Sequence, residues 1–318
     1  MLVAPDGFKG TLAAREVASA LARGLRAAGA EAVELPIGDG GDGTMDALVG
    51  ALGGELRPAT VADPLGRPVE AAYALLPDGE AVVEMARASG LGLVGRGDRD
   101  AWGASTRGTG ELIAAAVAGG AERVVVTVGG SATTDGGAGA LAALDDAGVV
   151  DVEIQVVCDV RTPFEDAARV FGPQKGADRA TVGRLERRLE ELADAAPRDP
   201  RGVPMTGCAG GLSGGLWAHR GAELVPGAAF VLDAVGFDER MRAARFVVTG
   251  EGRLDEQTLA GKAVAEVATR CRQGGVPCHA VVGENALDAF GARVLDLASV
   301  TEAGTVGELE AAGHELGG

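Results

Sequence analysis

The strongest constraint on the fold is an order of elements found near both ends of the chain: a short apolar strand, a glycine-rich loop and a helix. The predicted strands of this kind are residues 2–5, 32–37, 246–248 and 278–282. Thr11 is predicted to cap the first helix, and residues 44–52 to form the second. Because parallel strands need long crossovers, usually helices, this order predicts a parallel sheet with helices on its faces.

The middle of the chain has shorter segments and a different organisation. Residues 72–76 and 80–84 flank Pro77-Asp78-Gly79, which predicts a hairpin, and residues 123–128 read as a buried strand. We therefore predict an α/β fold with one doubly wound domain made from both ends of the chain and a second, mixed α/β domain inserted into it. The predicted boundaries are 1–60 plus 239–318 for the first domain and 61–238 for the second.

Net charge and the absence of long apolar runs exclude several kinds of partner. The formal charge is −17 at pH 7, whereas a nucleic-acid backbone requires a basic face. No apolar run reaches the length of a membrane span, and the first residues lack the core of a signal peptide. The four cysteines include no C-x-x-C pair, which favours a reducing compartment. We expect a cytoplasmic protein with no nucleic-acid or membrane partner; the oligomeric state stays open, with a homodimer as one option.

Lysine is rare in this chain and always stands beside glycine. Of 29 lysine and arginine residues only three are lysines, namely Lys9, Lys175 and Lys262. Lysine carries a compact point charge that arginine does not reproduce. Because all three adjoin a glycine, we interpret them as functional cations in loops rather than as residues retained there by chance.

Four glycine-rich loops follow apolar strands and carry charged or hydroxyl residues. Glycine lets backbone N–H groups approach a ligand, and a helix that begins after such a loop favours anions. The first loop, residues 5–11, contains Asp6 and Lys9, which suit an anionic substrate. The second, residues 38–44, contains Asp39 and Asp42, which can hold hydrated Mg²⁺ or accept a hydroxyl proton. An acidic turn that only caps the next helix is the alternative for the second loop.

The third loop, residues 129–139, follows the most apolar strand and leads into a helix. Its glycines and hydroxyl residues form a predicted cradle for nucleotide phosphates. The cradle residues are Gly129, Gly130, Ser131, Thr133, Thr134, Gly136 and Gly137. Residues 137–142 also fit the dinucleotide pattern G-x-G-x-x-A, but the pattern starts well after the strand, which weakens an NAD interpretation.

The fourth loop, residues 249–255, combines two acids with Arg253, and Lys262 follows it. A guanidinium recognises a carboxylate through two parallel hydrogen bonds. Lys262 is not a P-loop lysine, because Ala263 replaces the required Ser or Thr. Together the loops supply phosphate-binding groups, cations, and carboxylates for Mg²⁺ or for proton transfer. These are the components of a phosphoryl-transfer site, where positioning and charge neutralisation carry most of the catalysis.

Seven motifs occur in an order that resembles the bacterial glycerate kinase family of the glycerate 2-kinase type. They are PDGFKG (5–10), DGGDGT (39–44), EMARASGL (84–91), GTGELI (108–113), GGSATTDGGAG (129–139), FGPQKGA (171–177) and GEGRLD (250–255). The resemblance covers nearly the whole chain, including all three lysines. It implies phosphorylation of D-glycerate, with ATP and Mg²⁺, to 2-phosphoglycerate. It also implies a Rossmann-like domain interrupted by a second α/β domain, with the site in the cleft between them.

Within this resemblance the polar loop residues receive candidate roles. The catalytic candidates are Asp39, Asp42, Asp255 and Lys9, and the substrate-binding candidates are Asp6, Lys9, Arg253 and Lys262. The metal candidates are Asp39, Asp42 and Asp135. Lys175 and the loop of residues 129–137 are the candidates for binding ATP. Which carboxylate is the base and which binds metal stays open, as does the position of phosphorylation.

The chain departs from the family pattern in places. Gly7 stands where Ser is usual, Thr162 replaces an expected Asn, and segments are shorter near Val150 and at residues 161–169. These departures concern outer loops and substrate affinity more than the chemistry. Two other functions remain as alternatives: an NAD(P)-dependent oxidoreductase of a small hydroxy acid that uses residues 137–142, and a non-catalytic metabolite-binding protein. The complete set of acids and lysines favours the kinase.

Overall fold

The computed structural model describes residues 1–8 and 10–318, which form two compact units. Unit 1 consists of Met1–Asp39, Asp46–Ala51 and Gly227–Gly318, and unit 2 of Gly40–Met45 and Leu52–Pro226. The fold is α/β, with a parallel sheet in unit 1 and a mixed sheet in unit 2, as predicted. The units divide the chain elsewhere than the predicted boundaries do: residues 40–45 and 52–60 lie in unit 2, and residues 227–238 lie in unit 1.

The helices and strands are numbered here in chain order. The strands are β1 (Leu2–Val3), β2 (Val33–Glu34), β3 (Glu55–Ala62), β4 (Pro68–Leu75), β5 (Glu80–Glu84), β6 (Arg123–Val128), β7 (Glu153–Cys158), β8 (Glu223–Pro226), β9 (Val247–Thr249), β10 (Arg253–Leu254), β11 (Cys278–Val282), β12 (Glu284–Asn285) and β13 (Ser299–Glu302). The α-helices are α1 (Ala14–Ala27), α2 (Thr44–Leu52), α3 (Ala86–Ser89), α4 (Arg107–Ala118), α5 (Ala138–Asp146), α6 (Ala167–Phe171), α7 (Arg179–Ala195), α8 (Cys208–Arg220), α9 (Gly227–Ala234), α10 (Phe237–Arg242), α11 (Ala263–Gly274), α12 (Ala289–Leu295) and α13 (Val306–Gly317). Short 3₁₀ turns lie at Leu91–Leu93, Arg96–Asp98, Phe164–Asp166, Pro173–Lys175 and Thr258–Ala260.

Unit 1 is built on a parallel sheet with the strand order β13-β11-β9-β1-β2. Strands from the beginning of the chain therefore lie beside strands from its later part: Leu2 is paired with Val33 on one side and with Val247 on the other. From β1 the chain moves outward to β2, and from β9 it moves outward in the opposite direction to β11 and β13. The strand order thus reverses between β1 and β9, which is where ligands bind in open α/β sheets.

Helices α1 and α13 of unit 1 pack backbone against backbone. A methyl group on Gly24 of α1 would lie 2.0 Å from the Glu310 carbonyl oxygen, and one on Gly313 would lie 2.3 Å from the Leu21 carbonyl oxygen. The apolar face of α1 buries Leu21 and Leu25, four residues apart and so on the same side of the helix. Glycine at these two positions therefore permits the first and last helices to touch.

Unit 2 is built on a mixed sheet with the strand order β3-β4-β5-β6-β7-β8. β3 and β5 run antiparallel to β4, and β5 to β8 run parallel to one another. β3 pairs with β4 along its whole length, from Glu55 opposite Leu75 to Ala62 opposite Pro68. This pairing explains why residues 55–60 group with unit 2, although the sequence assigned them to the other domain.

The parallel strands of unit 2 bring their carboxyl ends to one edge of the sheet. Glu84 ends β5, Gly129 follows β6 and Asp159 follows β7. β6 is buried between its neighbours from Val124 to Val128, as its apolar sequence predicts. The polar groups at these three strand ends are therefore held on a buried, rigid support.

Several predicted elements are confirmed, and one predicted cap is wrong. β6, β11 and α2 have the predicted bounds, and β4 and β5 form the predicted hairpin. Thr11 does not cap the first helix: its hydroxyl donates to the Phe8 carbonyl oxygen at 2.9 Å, which closes a turn instead. α1 therefore begins later, after Ala13, whose backbone N–H donates to Glu16 Oε2 at 2.8 Å.

The described residues also bear on membrane spans and thiol chemistry. Across residues 1–8 and 10–318, every helix is too short or too polar to cross a membrane. All four cysteines are buried free thiols. A hydrogen bond to Cys208, together with burial, raises the pKa of Cys158 well above its usual range, and Cys271 acts in the same way on Cys278. These thiols are therefore poor nucleophiles.

Candidate active site

A cavity of about 420 Å³ opens in unit 1 where loops leave the carboxyl ends of the parallel strands. The loops after β1, β9, β11 and β13 all contribute to its wall. The lining residues are Asp6, Gly7, Phe8, Thr11, Glu251, Gly252, Arg253, Asp255, Lys262, Gly283, Glu284 and Gly304. The cavity therefore lies at the reversal of strand order, the expected ligand position in this kind of sheet.

Residues that the sequence analysis assigned to the substrate and to catalysis meet in this cavity. They are Asp6, Arg253, Asp255 and Lys262. The first and fourth loops are joined by a hydrogen bond from the Asp6 N–H to the Gly250 carbonyl oxygen at 2.8 Å. Lys9, which was predicted to act here, lies outside the described residues, so its role stays a prediction. Asp39, also in unit 1, is buried but does not line the cavity.

Arg253 is a cation on the cavity wall. It lies on β10, which pairs in parallel with β12. Its Nη1 donates to Glu284 Oε2 at 2.9 Å, and its Nε lies 3.5 Å from Asp255 Oδ2. The Arg253 side chain is 56% exposed, and exposed ion pairs of this kind contribute at most about 1 kcal/mol. The guanidinium can therefore exchange these partners for a ligand carboxylate at small cost.

The buried Thr258 side chain anchors the fourth loop through hydrogen bonds. Its hydroxyl donates to Glu251 Oε1 at 2.6 Å and accepts the backbone N–H of Asp255 at 3.2 Å. The Asp255 carboxylate in turn accepts the Gln257 N–H at 2.9 Å, which closes a local turn. Because Thr258 and Glu251 are buried, this network fixes the loop backbone and keeps Asp255 on the cavity wall.

In unit 2 the third loop leaves β6 and turns sharply at glycines. Gly130, Gly136 and Gly137 have φ values of +66°, +64° and +82°, which side-chain-bearing residues rarely adopt. A methyl group on Gly129 would lie 2.5 Å from Gly41 Cα. The second and third loops therefore touch backbone to backbone, and a larger residue at Gly129 would force them apart.

Two carboxylates lie against the first residues of the third loop. A methyl group on Gly130 would lie 3.5 Å from Asp42 Oδ2, and one on Gly129 would lie 3.4 Å from Asp159 Oδ2. The Asp42 side chain is exposed. The structure thus brings Asp42, a predicted catalytic residue, beside the predicted phosphate cradle.

Glu84 positions the loop that carries Asp42. Its Oε2 accepts the N–H groups of Gly43 at 3.0 Å and Met45 at 3.1 Å, at the start of α2. Burial raises the pKa of the Glu84 carboxyl, and the charge of Asp42 raises it further, whereas the charge of Arg87, whose Nε lies 3.6 Å from Oε1, opposes the shift. Glu84 therefore acts as a buried cap that ties the second loop to the end of β5.

Lys175 lies beneath the third loop. Its Nζ donates to Ser131 Oγ at 2.7 Å and to the Thr133 carbonyl oxygen at 2.5 Å. The side chain is only 3% exposed, and burial lowers its pKa to about 7 against the opposing charges of Asp135 and Asp159. The sequence analysis grouped Lys175 with the ATP-binding residues, but the structure holds it on the protein side of the loop.

The three hydroxyl residues of the predicted cradle differ in accessibility. Ser131 is 9% exposed, whereas Thr133 and Thr134 are fully buried. The Thr133 hydroxyl lies 3.5 Å from the Ala209 carbonyl oxygen, and the Thr134 hydroxyl has no hydrogen-bond partner among the residues described. Ser131 and the backbone are therefore the parts of the loop best placed to meet a phosphate.

Asp135, a predicted metal ligand, has the partners of a helix cap. Its Oδ2 accepts the backbone N–H of Thr106 at 2.8 Å, the Thr106 hydroxyl at 2.9 Å and the Gly139 N–H at 3.2 Å. Its Oδ1 accepts the Gly137 N–H at 3.2 Å. These donors stand at the starts of α4 and α5. The carboxylate thus joins two helices, and its metal role stays a prediction from sequence.

The dinucleotide-like pattern at residues 137–142 serves close packing. A methyl group on Gly137 would lie 3.2 Å from Leu212 Cα, and one on Gly139 would lie 2.1 Å from Ser105 Oγ. Gly137 is the N-cap residue of α5. The two glycines are therefore accounted for by the approach of neighbouring segments, which gives the oxidoreductase alternative no support.

A left-handed turn inside α8 packs against the third loop at Thr133. Ala209, Gly210 and Gly211 have φ values of +52°, +67° and +91° inside α8. A methyl group on Gly210 would lie 2.0 Å from the Thr133 carbonyl oxygen, and the Gly210 carbonyl accepts the Gly136 N–H at 3.0 Å. Backbone therefore packs directly on backbone at this point.

Sequence reasoning missed three side chains at this edge of unit 2: Glu84, Arg87 and Asp159. A signal was present for two of them, because Glu84 ends a parallel strand and Asp159 directly follows another. Parallel strands bring their carboxyl ends to the same edge, so polar residues at those positions converge. Recognising this required knowing that β5, β6 and β7 are neighbours.

Known proteins resemble this chain along most of its length. The model of the glycerate kinase family matches residues 1–148 and 145–309. The glycerate kinase of Halalkalibacterium halodurans is 38% identical over 322 residues, covering 89% of this chain and 85% of that protein. The glycerate 2-kinase of Escherichia coli is 37% identical over 322 residues, covering 89% and 84%. A crystal structure from Salmonella typhimurium LT2, of a candidate glycerate kinase 2, matches with a TM-score of 0.83 at 33% identity, covering 99% of this chain and 96% of that one.

Proposed function

Since the chain belongs to the glycerate kinase family, whose members use ATP as co-substrate, we propose that it transfers the γ-phosphoryl group of ATP to the 2-hydroxyl of D-glycerate. The observation that carries the residue assignment is the cavity of unit 1. It brings side chains predicted independently from two loops to the reversal point of a parallel sheet.

The cavity of unit 1 is the proposed glycerate site. Arg253 and Lys262 on its wall supply the positive charge that a small carboxylate needs against the net charge of −17. The planar guanidinium of Arg253 matches a carboxylate through two hydrogen bonds, whereas Lys262 contributes a point charge. Asp6 and Asp255 on the same wall are acceptors for the substrate hydroxyls.

The third loop of unit 2 is the proposed phosphate site. Ser131 provides a hydroxyl for phosphate oxygens, and Gly129 and Gly130, which have no side chains, let the backbone of the loop approach them. A Mg²⁺ ion bound with a nucleotide takes most of its ligands from phosphates and water and needs only one or two carboxylates. The exposed Asp42, beside Gly130, fits that requirement. The described residues hold no group of three or more His, Cys, Asp or Glu that could bind a metal ion.

In the proposed reaction the glycerate hydroxyl oxygen forms a bond to the γ-phosphorus while the bond from that phosphorus to the β-phosphate oxygen breaks. ADP leaves, and the hydroxyl proton passes to a carboxylate, for which Asp39, Asp42 and Asp255 are the candidates. A bound Mg²⁺ ion would neutralise charge on the phosphate oxygens. Arg253 and Lys262 hold the substrate carboxylate during the transfer.

The test is ADP release coupled to a reporter enzyme, with ATP, Mg²⁺ and D-glycerate, and with L-glycerate and no acceptor as controls. We expect ADP release that depends on D-glycerate and a phosphorus NMR spectrum of 2-phosphoglycerate. A folded protein that binds ATP but phosphorylates neither D-glycerate nor another hydroxy acid would contradict the proposed function and favour a metabolite-binding role.

Asp42→Asn tests the assignment at the edge of unit 2. The substitution keeps the shape of the side chain but removes the charge and the proton acceptor, so we expect kcat to fall by about two orders of magnitude or more. Asp151→Asn, also at an exposed aspartate of unit 2, is the matched control and should retain normal kcat. Equal kcat for the two variants would remove Asp42 from the mechanism.

A further inference from the structure

We propose that Lys175 is a positioning residue for the nucleotide: from beneath the third loop it sets the direction in which Ser131 and the adjoining backbone donate hydrogen bonds. The inference rests on the proposed binding of ATP phosphates by this loop. It assigns Lys175 a role through Ser131 rather than a contact with ATP.

Burial and hydrogen bonds fix the Lys175 ammonium in place. The group is 3% exposed and lies in the 3₁₀ turn Pro173–Lys175. Its ammonium donates two hydrogen bonds to the third loop, one to Ser131 Oγ at 2.7 Å and one to the Thr133 carbonyl oxygen at 2.5 Å. To reach a phosphate outside the loop, the ammonium would have to break both bonds and leave its enclosure. Its effect on a ligand must therefore pass through the loop.

The contact with Ser131 determines where that hydroxyl can donate. A lysine ammonium has three donors and no acceptor, so Ser131 Oγ is the acceptor in this pair. The single hydroxyl proton of Ser131 is therefore free to point away from Lys175. Because Ser131 is the accessible hydroxyl residue of the cradle, this proton is available to a phosphate oxygen. An apolar residue in place of Lys175 would leave the proton without a preferred direction.

The contact with Thr133 orients a peptide group in the same way. In a trans peptide the C=O and the following N–H point in opposite directions. The Thr133 carbonyl is drawn toward Lys175, so the N–H of Thr134 points away from it. Lys175 thereby keeps a carbonyl dipole from facing an anionic ligand at this peptide.

The charge of Lys175 also favours an anion over the loop. Two carboxylates, those of Asp135 and Asp159, face the ammonium and partly balance it, and Cys208 lies near. A buried charge is screened less by salt than a surface charge. In a chain with a net charge of −17, the ammonium beneath the cradle, when protonated below its pKa of about 7, offsets part of the repulsion that ATP phosphates meet.

A double-mutant cycle tests whether Lys175 acts through Ser131. The measured quantity is the dissociation constant of a non-hydrolysable ATP analogue, by titration calorimetry, for wild type, K175M, S131A and K175M/S131A. Loss of a charge-assisted hydrogen bond corresponds to a factor of about 10 to 100. At pH 6, where Lys175 is protonated, we expect K175M to weaken binding at least about tenfold in the wild-type background and by a clearly smaller factor in the S131A background, where only the Thr133 contact and the charge remain. Equal factors in both backgrounds would overturn the inference.

Two further readouts separate positioning from general support of the fold. In steady-state kinetics K175M should raise KM for ATP while leaving KM for D-glycerate within about twofold, because the lysine acts on one ligand. Gln174→Ala, in the same turn and with an exposed side chain, is the control for disturbance of the turn. A parallel rise in both KM values, or the same rise in Q174A, would also overturn the inference.

The outcome stays decisive if K175M fails to fold. S131A alone must then weaken binding of the ATP analogue, and wild-type affinity in S131A would refute the inference. Failure of this inference is distinguishable from failure of the proposed function. A wild type that binds the analogue without turning over D-glycerate contradicts the function alone, whereas a wild type that does not bind the analogue contradicts both.

Discussion

Replacing Asp135 separates a helix-capping role from a metal-binding one. Its buried carboxylate accepts four hydrogen bonds, from the N–H and hydroxyl of Thr106 and from the N–H groups of Gly137 and Gly139. Loss of a cap costs about 0.5–2 kcal/mol per helix, and two helices begin here. Asp135→Ala should therefore lower the free energy of unfolding by about 1–4 kcal/mol. Asp135→Asn keeps one acceptor oxygen but turns an NH₂ group toward a donor, so we expect the free energy of unfolding to fall by about 1–3 kcal/mol.

The assay is urea unfolding followed by tryptophan fluorescence in metal-free buffer. The chain has two tryptophans, Trp102 and Trp217, and both lie in unit 2, so the signal reports the unit that contains Asp135. Asp178→Asn is the matched control. Asp178 caps α7 of the same unit, where its Oδ1 accepts the Thr181 N–H at 2.7 Å, and Asn is an equally good cap, so this change should leave the unfolding midpoint close to that of wild type.

The two roles of Asp135 predict different results. A residue that only held Mg²⁺ would leave the metal-free protein as stable as wild type after substitution. Wild-type unfolding midpoints for both Asp135 variants would therefore refute the capping account. A larger effect of Asn than of Ala would refute the hydrogen-bond accounting on which the magnitudes rest.

Three other perturbations test separate features of the structure. Arg253→Ala should raise KM for D-glycerate about 10- to 100-fold in the ADP-release assay, whereas the exposed Arg242→Ala of unit 1 should not; equal KM values would remove Arg253 from the substrate site. Gly210→Ala should lower the unfolding midpoint of unit 2, because its new methyl group would lie 2.0 Å from the Thr133 carbonyl oxygen at a φ of +67°; an unchanged midpoint would contradict this packing. Burial lowers the pKa of Lys175 from 10.5 to about 7, so between these values the unfolded chain binds a proton that the folded chain has released. The free energy of unfolding should then rise with pH above about 7, by up to about 1.4 kcal/mol per pH unit, and K175M should lack this rise; parallel pH profiles would contradict the assignment.

The local order of elements in unit 1 could be predicted from the sequence because each element is a short, contiguous segment with its own residue pattern. Each strand is contiguous with the loop after it, and the spacing of apolar residues changes where a helix begins. The bounds of β11 and α2, and those of β6 in unit 2, follow from such patterns alone. The loops at the carboxyl ends were found for the same reason, and so were the cavity residues Arg253 and Asp255.

The partners of individual side chains could not be predicted, because they come from distant segments. Asp135 looks like a free acid in a glycine-rich loop, and only the position of Thr106 makes it a cap. Lys175 looks like a surface cation beside glycine, and only the packing of the third loop over it makes it buried. The boundary near residue 52 depends likewise on the pairing of β3 with β4, which no local pattern reveals.

The strand order of unit 1 has a consequence for synthesis on the ribosome. β1 lies between β2, made soon after it, and β9, made only after all of unit 2. When residue 226 has been joined to the chain, the six strands of unit 2 exist, but β1 still lacks its inner neighbour and offers an unpaired edge. Unit 2 can therefore fold co-translationally as the chain emerges, whereas unit 1 cannot close until α13 is available to pack against α1. A premature stop within residues 227–246 would release a chain with all the strands of unit 2 but with β1 lacking its inner neighbour, and such an unpaired strand edge exposes the chain to chaperones and proteases.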